Sequence, residues 1–305
     1  MKLMLKDLPQ QGRQNIIPIN ASGLKIASCQ RRWFMTVVLG LKEKNEDPIL
    51  TVGKIVHRFA EAVAFDRSED NLMKANVEAL TAAKTKGLGV KETTQVREAL
   101  GSCPVDELPK PLVLENIKGA EFKFTFPVTN YPSFVYTGTI DLITHDGRQN
   151  KLVIYDYKTS RKYLFKDIIA SYTGDTQFTF YPWVVHKFAY ELFKGHMEYA
   201  NLGWYRHLAM VPLVIMLSGK PVSWRKGPEQ TFTEERFAMF EHLLEDFINT
   251  VEPYIEDDQL PPPTGMINNS CPSCPFKGIC YATSAAQLEI ELGAFDVVTY
   301  EPLKW

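Results

Sequence analysis

Residues 134–158 read FVYTGTIDLITHDGRQNKLVIYDYK. Positions 134–143 and 151–157 alternate apolar and polar residues, the period of a β-strand. Between them, HDGRQN carries Asp146-Gly147, a tight-turn signal, so the stretch is predicted to fold as a hairpin. Asp141 falls on the first strand and Asp156 near the end of the second. Lys158, two residues on, shares a face with Asp156. The run VIYDYK sets charge beside residues that expect burial, and burying an unpaired charge costs on the order of several kcal/mol. Two readings are open at this point. Asp156 and Lys158 form a strand-end salt bridge with Asp141 solvated, or the carboxylates hold a hard divalent cation such as Mg²⁺ or Mn²⁺. In the second reading the lysine activates water and stabilises charge developing on a phosphate. Gly138 leaves room for close approach of a ligand.

Working outward, residues 120–128 (AEFKFTFPV) are predicted as a further strand, so three consecutive strands form the sheet core. Upstream the texture is helical. A cap near Asn20 and Ser22 precedes an apolar-periodic run that stops at Gly40, and 49–65, 70–86 and 91–100 follow with helical spacing. Downstream, 175–194 is predicted as a helix kinked or started at Pro182, 198–206 and 211–218 as strands, and 231–250 as an amphipathic helix. PPPTGM then opens a loop holding three of the five cysteines.

The chain has 305 residues, 45% hydrophobic and 23% charged, which excludes a disordered, collagen-like or disulfide-stapled chain. Its net charge of −2 argues against a non-specific nucleic-acid coat, but not against an enzyme with a local basic groove. No apolar run reaches membrane-spanning length, and MKLMLKDLPQQGRQ lacks the apolar core of a signal peptide, so a cytoplasmic location is expected. No phosphate-binding GxxxxGK[ST] loop occurs, so any strand unwinding would come from another protein.

Two spaced patterns flank the hairpin. Gly53-x-x-x-His57-x-x-x-Glu61 stacks three residues on one face of a predicted helix, and Gln177-x-x-x-Tyr181 repeats that spacing after the DxK strand. Alone, His57 reads as a structural histidine and the Gln–Tyr pair as chance. In order, however, GxxxHxxxE, GxxD, DxK and QxxxY resemble the RecB-like nucleases of the PD-(D/E)XK superfamily. The resemblance implies an α/β restriction-endonuclease-like core, a mixed central sheet flanked by helices, with metal-dependent hydrolysis of DNA. It also implies His57, Asp141, Asp156 and the Tyr157 carbonyl as ligands of Mg²⁺ or Mn²⁺. Lys158 would be the catalytic lysine, Glu61 a supporting residue of the site, and Gln177 and Tyr181 would position the scissile strand. Where the superfamily often has Pro-Asp, this chain has Ile140-Asp141. Glu121, on the preceding strand, could reach the site but reads more simply as structural.

Cys271-x-x-Cys274-x-x-x-x-x-Cys280 lies in the late loop, while Cys29 stands far upstream in SCQRRWF. Zinc usually takes its ligands as two local pairs. One cysteine plus three is unusual for zinc and compatible with a Cys₄ iron–sulfur cluster. The layout resembles the iron-staple subgroup that includes AddB-type helicase–nucleases and the Cas-four CRISPR nucleases. By that resemblance Cys29, Cys271, Cys274 and Cys280 bind a [4Fe-4S] cluster that ties the N-terminal part to a C-terminal latch. Gln30 stands where the subgroup often has proline, and Cys103 lies outside the pattern.

The expected organisation is one nuclease domain over 1–305, with a helical part at 20–115, a catalytic core at 116–255 and a cysteine-rich latch at 256–305. Basic and aromatic residues near the motifs, Arg31, Arg32, Trp33, Arg161, Lys162 and Tyr163, could contact phosphates and unpaired bases. The favoured expectation is an exonuclease acting on single-stranded DNA or free ends, 5′ to 3′, with a helicase, recombination or CRISPR partner possible. The alternative is a non-catalytic iron–sulfur DNA-binding module. A redox or zinc protein unconnected to nucleic acid leaves DxK and QxxxY unexplained.

Overall fold

The computed structural model describes residues 3–11, 13–45, 47–115, 117–162, 164–173, 175–218, 221–266 and 270–299; Tyr163 lies outside them. Contacts group the chain into two compact units. One comprises Glu46–Lys123 and Thr139–Phe237; the other comprises Met1–Asn45, Phe124–Gly138 and Ala238–Trp305.

The first of these holds the hairpin. Helix α1 (Pro48–Phe65) starts at Pro48, with the Asp47 carboxylate accepting from Ile49 N at 2.9 Å. Its inward stripe includes Val52, Val56, Phe59 and Val63 and packs on the small face of a second helix, Glu69–Thr85, through Ala75, Ala79 and Ala83. A third helix, Val90–Gly101, completes this layer.

Strand β1 (Phe134–Asp146) passes from the other unit into this one and turns back into β2 (Lys151–Ser160). The two pair antiparallel from Leu142↔Tyr155 to Asp146↔Lys151. On the face of β2 opposite α1, helix Phe165–Thr173 and α2 (Gln177–Lys187) follow in sequence. Then β3 (Leu208–Met216) lies parallel to β2 throughout, and Ser223–Lys226 and Gln230–Thr231 pair antiparallel with β3. The sheet is therefore mixed. β3 is buried along its whole length, as a central strand covered on both faces should be. Tyr155 and Tyr157 face the α1 layer, while Val214 and Met216 meet Ile168 on the other side.

The expected strand at 198–206 is instead helix Met197–Leu202 followed by a 3₁₀ turn, Tyr205–His207. Ala200, Leu202 and Trp204 alternate with Asn201 and Gly203, which imitates a strand there. Tertiary packing overrides the pattern, because Gly203 sits so close to Ala189 that a Cβ would fall 2.3 Å from the alanine methyl. Two other expectations shift at their edges. The helix at 175–194 breaks at Phe188 into α2 and Ala189–Leu192, and Pro182 lies inside α2. The late helix runs Glu234–Glu256, past the expected end at 250.

Gly119 seats the sheet edge. A Cβ there would lie 2.5 Å from the Ile143 carbonyl and 2.7 Å from the Leu112 backbone, neither of which can rotate away. Gly119→Ala is therefore expected to destabilise the protein by about 3 kcal/mol, through overpacking against fixed backbone. Denaturant unfolding checks this; an unchanged midpoint would refute it.

In the other unit, Ile17–Ile19 runs parallel to Phe134–Tyr136. Helix Ala21–Ile26 is capped by Asn20, whose side chain accepts from Gly23 N at 2.7 Å. The helical run beyond it breaks after Ile26, resumes at Gln30, widens to a π-turn over Phe34–Val38 and stops at Gly40, where φ is +65°. Leu41–Glu43 pairs antiparallel with Phe295–Val297, joining an early and a late segment of the chain. Trp33 is fully buried and packs edge-on to Phe247 at 5.0 Å. No helix among the described residues is long and apolar enough to cross a membrane.

Candidate active site and cysteine group

The hairpin ladder ends at Leu142↔Tyr155. Beyond that point β1 parts from β2, and the Tyr157 N–H would lose its strand partner. Asp141 supplies one, since its Oδ2 accepts from Tyr157 N at 2.7 Å. This places Asp141 beside Asp156, which is 1% exposed in the second strand. Asp156 Oδ1 accepts from Gln177 Nε2 at 2.8 Å, and its Oδ2 is ion-paired with Lys158. Gln177 turns its other amide atom to the same lysine, with Lys158 Nζ donating to Gln177 Oε1 at 3.1 Å. One glutamine thus bridges both members of the Asp–Lys pair.

The local sequence explains Gln177. Asp175 Oδ1 accepts from Gln177 N at 2.9 Å, fixing the first turn of α2. Tyr181, one turn later, is buried and hydrogen-bonds Gln177; burial and the two aspartates push its phenol above the usual range. Tyr172, on the helix before, stacks on Phe178 at 5.1 Å, and its phenol is raised by burial and by Asp156.

His57 arrives from the opposite side of the sheet. Gly53, one turn earlier, lets α1 approach β2, since a Cβ there would stand 2.8 Å from Thr159 Oγ1. The His57 ring lies 5.6 Å from that of Tyr157. Its Nε2 is buried with no hydrogen-bond partner among the described residues. Burial, then the Lys158 charge, lowers the imidazole to about 4, so it is neutral and its ring lone pair is available.

Burial dominates the carboxylates as well. Asp141 is pushed up to about 6, against the opposing pull of Lys158 and the Tyr157 N–H. Asp156 is also pushed up to about 6 by burial, against Lys158, with Asp141 adding to the rise. Glu61 is raised by burial and then by Glu121, with a smaller push from Asp141. Glu121 itself is exposed and holds a left-handed backbone, φ 44°, uncommon for a non-glycine residue. Its charge acts on both Glu61 and Asp141, which ties it electrically to the site.

The set therefore comprises His57, Glu61, Asp141, Asp156, Lys158, Gln177 and Tyr181, gathered within one compact unit. Tyr157 has its side chain in the core, and its hydroxyl has no hydrogen-bond partner among the described residues. Asp175 and Tyr172 were not found by the sequence reading. Asp175 could have been found as a capping acid two residues ahead of Gln177; Tyr172 carries no local signal. Arg161 pairs with Glu92 at 3.3 Å, and Lys162 is exposed. Among the described residues, no three His, Cys, Asp or Glu side chains are close enough together to hold a single metal ion. The donor chemistry nonetheless suits a hard cation. Two buried carboxylates concentrate negative charge, and among the described residues His57 Nε2 has no hydrogen-bond partner.

The other unit holds the cysteines. Thr264 Oγ1 donates to Ser28 O at 3.1 Å and accepts from Gln30 N at 3.2 Å, pinning the turn that carries Cys29. Arg31 Nε adds a bond to Pro261 O at 2.7 Å. Next to this clamp, a Cβ on Gly265 would lie 3.2 Å from Cys271 Sγ and 3.3 Å from Cys29 Sγ. The two sulfurs thus flank one point beside the glycine, with Ser270 Oγ nearest to it at 2.7 Å. Cys274 is raised by burial, countered by the Phe276 N–H and Arg32, with Cys29 and Cys271 adding to the rise. Cys280 is pushed up to about 11 by burial, against Arg31, with Cys274 and Cys29 acting in the same direction as burial. Arg31 acts on Cys280 and Arg32 on Cys274. Cys103 stands elsewhere, in the α1 core, its thiol pushed up to about 12 by burial.

Comparison with known proteins adds three findings. The profile of the PD-(D/E)XK nuclease superfamily matches residues 22–281. No curated protein sequence matches the chain. Among solved structures, a candidate exonuclease from Eubacterium rectale superposes with a TM-score of 0.50 at 13% identity, covering 88% of this chain and 92% of that one. SSO0001 covers 86% of this chain and 97% of its own at 15% identity, with a TM-score of 0.30.

Proposed function

The chain belongs to the PD-(D/E)XK nuclease superfamily, and from that premise we propose that it is a divalent-metal-dependent deoxyribonuclease acting as an exonuclease. The observation that carries this reading is the bridge Asp156–Gln177–Lys158 beside buried Asp141. It is an acid pair and a lysine held in fixed register, where charge is poorly screened by water.

Asp141, Asp156, His57 and the Tyr157 carbonyl would hold Mg²⁺ or Mn²⁺. When bound, such an ion polarises a phosphoryl oxygen and lowers the pKa of a coordinated water. The chain's own residues do the rest. Lys158, oriented by Gln177, presents a positive charge to the oxygen on which negative charge develops. Gln177 and Tyr181 fix the strand next to the scissile phosphate. Glu61 and Glu121 add negative charge on the α1 side of Asp141.

The substrate reading is DNA, single-stranded or with free ends, attacked in the 5′ to 3′ direction; Arg161 and Lys162 follow the catalytic strand directly, where they can meet its phosphates. The whole chain would work as one nuclease domain, with a helicase or recombination protein supplying unwound strands. Cys29, Cys271, Cys274 and Cys280 would hold a [4Fe-4S] cluster. The approach of Cys29 Sγ and Cys271 Sγ to one point beside Gly265, and the influence of Cys29 on both Cys274 and Cys280, support that assignment. Bonds from Cys29 to three cysteines some 240 residues later would close long loops and constrain the unfolded chain.

The deciding experiment uses anaerobically purified protein with 5′- and 3′-labelled single-stranded DNA, in Mn²⁺ and in chelator. Metal-dependent loss of label is expected, with mononucleotides released first from the 5′-labelled strand. Binding without cleavage under every divalent metal would overturn the catalytic reading in favour of a binding module. Separately, Cys274→Ala is expected to lose bound iron and the visible absorbance of the cluster, and to melt at a lower temperature. A colourless variant with wild-type melting and activity would remove the structural role.

A further inference from the structure

The face of α1 next to the His57–Glu61 stripe borders a cavity of about 470 Å³ between α1 and helix Glu69–Thr85. That volume lies within the usual range for a small-molecule or nucleotide site, about 300–1,000 Å³. Its floor is apolar. Ile55, Phe59, Ala75 and Ala79 are each less than a tenth exposed. Its rim is charged and exposed, with Lys54, Arg58 and Lys86 against the single acid Glu78. The rim is thus net positive on a chain whose total charge is negative.

Position along α1 links this cavity to the reaction centre. Arg58 directly follows His57 and stands three residues before Glu61, one helical turn away. The cavity therefore begins where the active-site stripe ends, within the same compact unit.

We propose that this cavity is a subsite for one nucleotide of the substrate strand, flanking the scissile phosphate. The base would lie on the Ile55–Phe59 floor, and the phosphates would follow the Lys54–Arg58–Lys86 rim. The inference rests on the nuclease reading and deepens it: strand affinity comes partly from a pocket outside the metal-binding set. The chemistry matches the occupant, since a nucleotide joins a flat apolar ring to an anion and the cavity joins an apolar floor to a basic rim. Interactions made equally in the bound and transition states change KM without changing kcat.

Two variants outside the catalytic set test it. Lys86→Ala removes one rim charge at the exposed end of its helix, and Ala82→Leu fills the cavity without altering charge. With a labelled single-stranded oligodeoxynucleotide and Mn²⁺, each variant is expected to raise KM about tenfold with kcat unchanged. Lys86→Ala should also flatten the dependence of log binding on log salt by about 0.7, one phosphate contact on a single strand. Ala82→Leu should leave that slope as in wild type. Unchanged KM in both variants, or a fall in kcat of the same size as the KM effect, would overturn the subsite. If wild type cuts nothing, the nuclease reading has failed, and the Kd of the same oligonucleotide for wild type and Lys86→Ala still decides. Equal Kd and equal salt slope would overturn the proposal, and weaker binding with a flatter slope would uphold it.

Discussion

Lys158→Ala is expected to cut kcat for single-stranded DNA by about a hundred- to a thousandfold, the loss typical when one preorganised donor to a developing oxyanion is removed. Two effects combine. The variant loses the ammonium that Gln177 aims, and Asp156 loses the ion pair that offsets its burial. Lys158 is the largest influence holding Asp156 and Asp141 down against burial, so both carboxylates should take up protons more readily in the variant. Its residual activity should therefore rise at a higher pH than that of wild type, because the carboxylates ionise later. Lys158→Arg is expected to rescue poorly. A planar guanidinium is larger and would contact the Gln177 amide and Asp156 in a different geometry. The measurement is single-turnover cleavage against pH at saturating Mn²⁺. A Lys158→Ala protein within a few-fold of wild type would remove the lysine from the mechanism.

Asp156→Asn is expected to abolish cleavage and yet stabilise the fold at neutral pH. The folded carboxylate is raised to about 6, above its ordinary value near 4 in an unfolded chain. Between those values the folded state holds the proton that the unfolded state has lost. Stability therefore falls as pH rises through this window, and above pH 6 the full penalty applies, on the order of 2–3 kcal/mol. Asparagine carries no charge at any of these pH values, and its carbonyl can still accept the 2.8 Å bond from Gln177 Nε2. The variant should melt several degrees higher than wild type at pH 8, and the gap should close below pH 4. Thermal melts across that range, without added metal, check the sign. A variant that is less stable at pH 8 would mean that the Asp156–Lys158 pair more than repays its burial. The expected outcome is the usual conflict between a buried charged site and the stability of the fold around it.

Local chemistry made a good deal of this legible. The hairpin followed from alternation on either side of Asp146-Gly147, and its register set Asp156 and Lys158 on one face. The helical spacing of Gly53, His57 and Glu61 held within α1. The strand expected at 198–206 went the other way: Ala200, Leu202 and Trp204 alternate as in a strand, but the segment folds as helix Met197–Leu202, with Gly203 packed against Ala189 at its end. Helix Phe165–Thr173 and the stacked Tyr172 were not foreseen. Their residues become meaningful only once they meet Val214, Met216 and Phe178.

By itself, the sequence determined which residue types stand at which spacing: the paired acids, the lysine, the Gln–Tyr turn and the one-plus-three cysteines. These are local facts, written in strand and helix periods. Tertiary structure alone decided what those residues meet. The ladder ends at Leu142↔Tyr155, so Asp141 must satisfy the Tyr157 N–H. Gly53 admits α1 close enough for His57 to reach β2, and Thr264 clamps the Cys29 turn beside Cys271. Burial then raised both carboxylates and lowered the histidine. Desolvation depends on what surrounds a group in space, and no spacing along the chain contains that information.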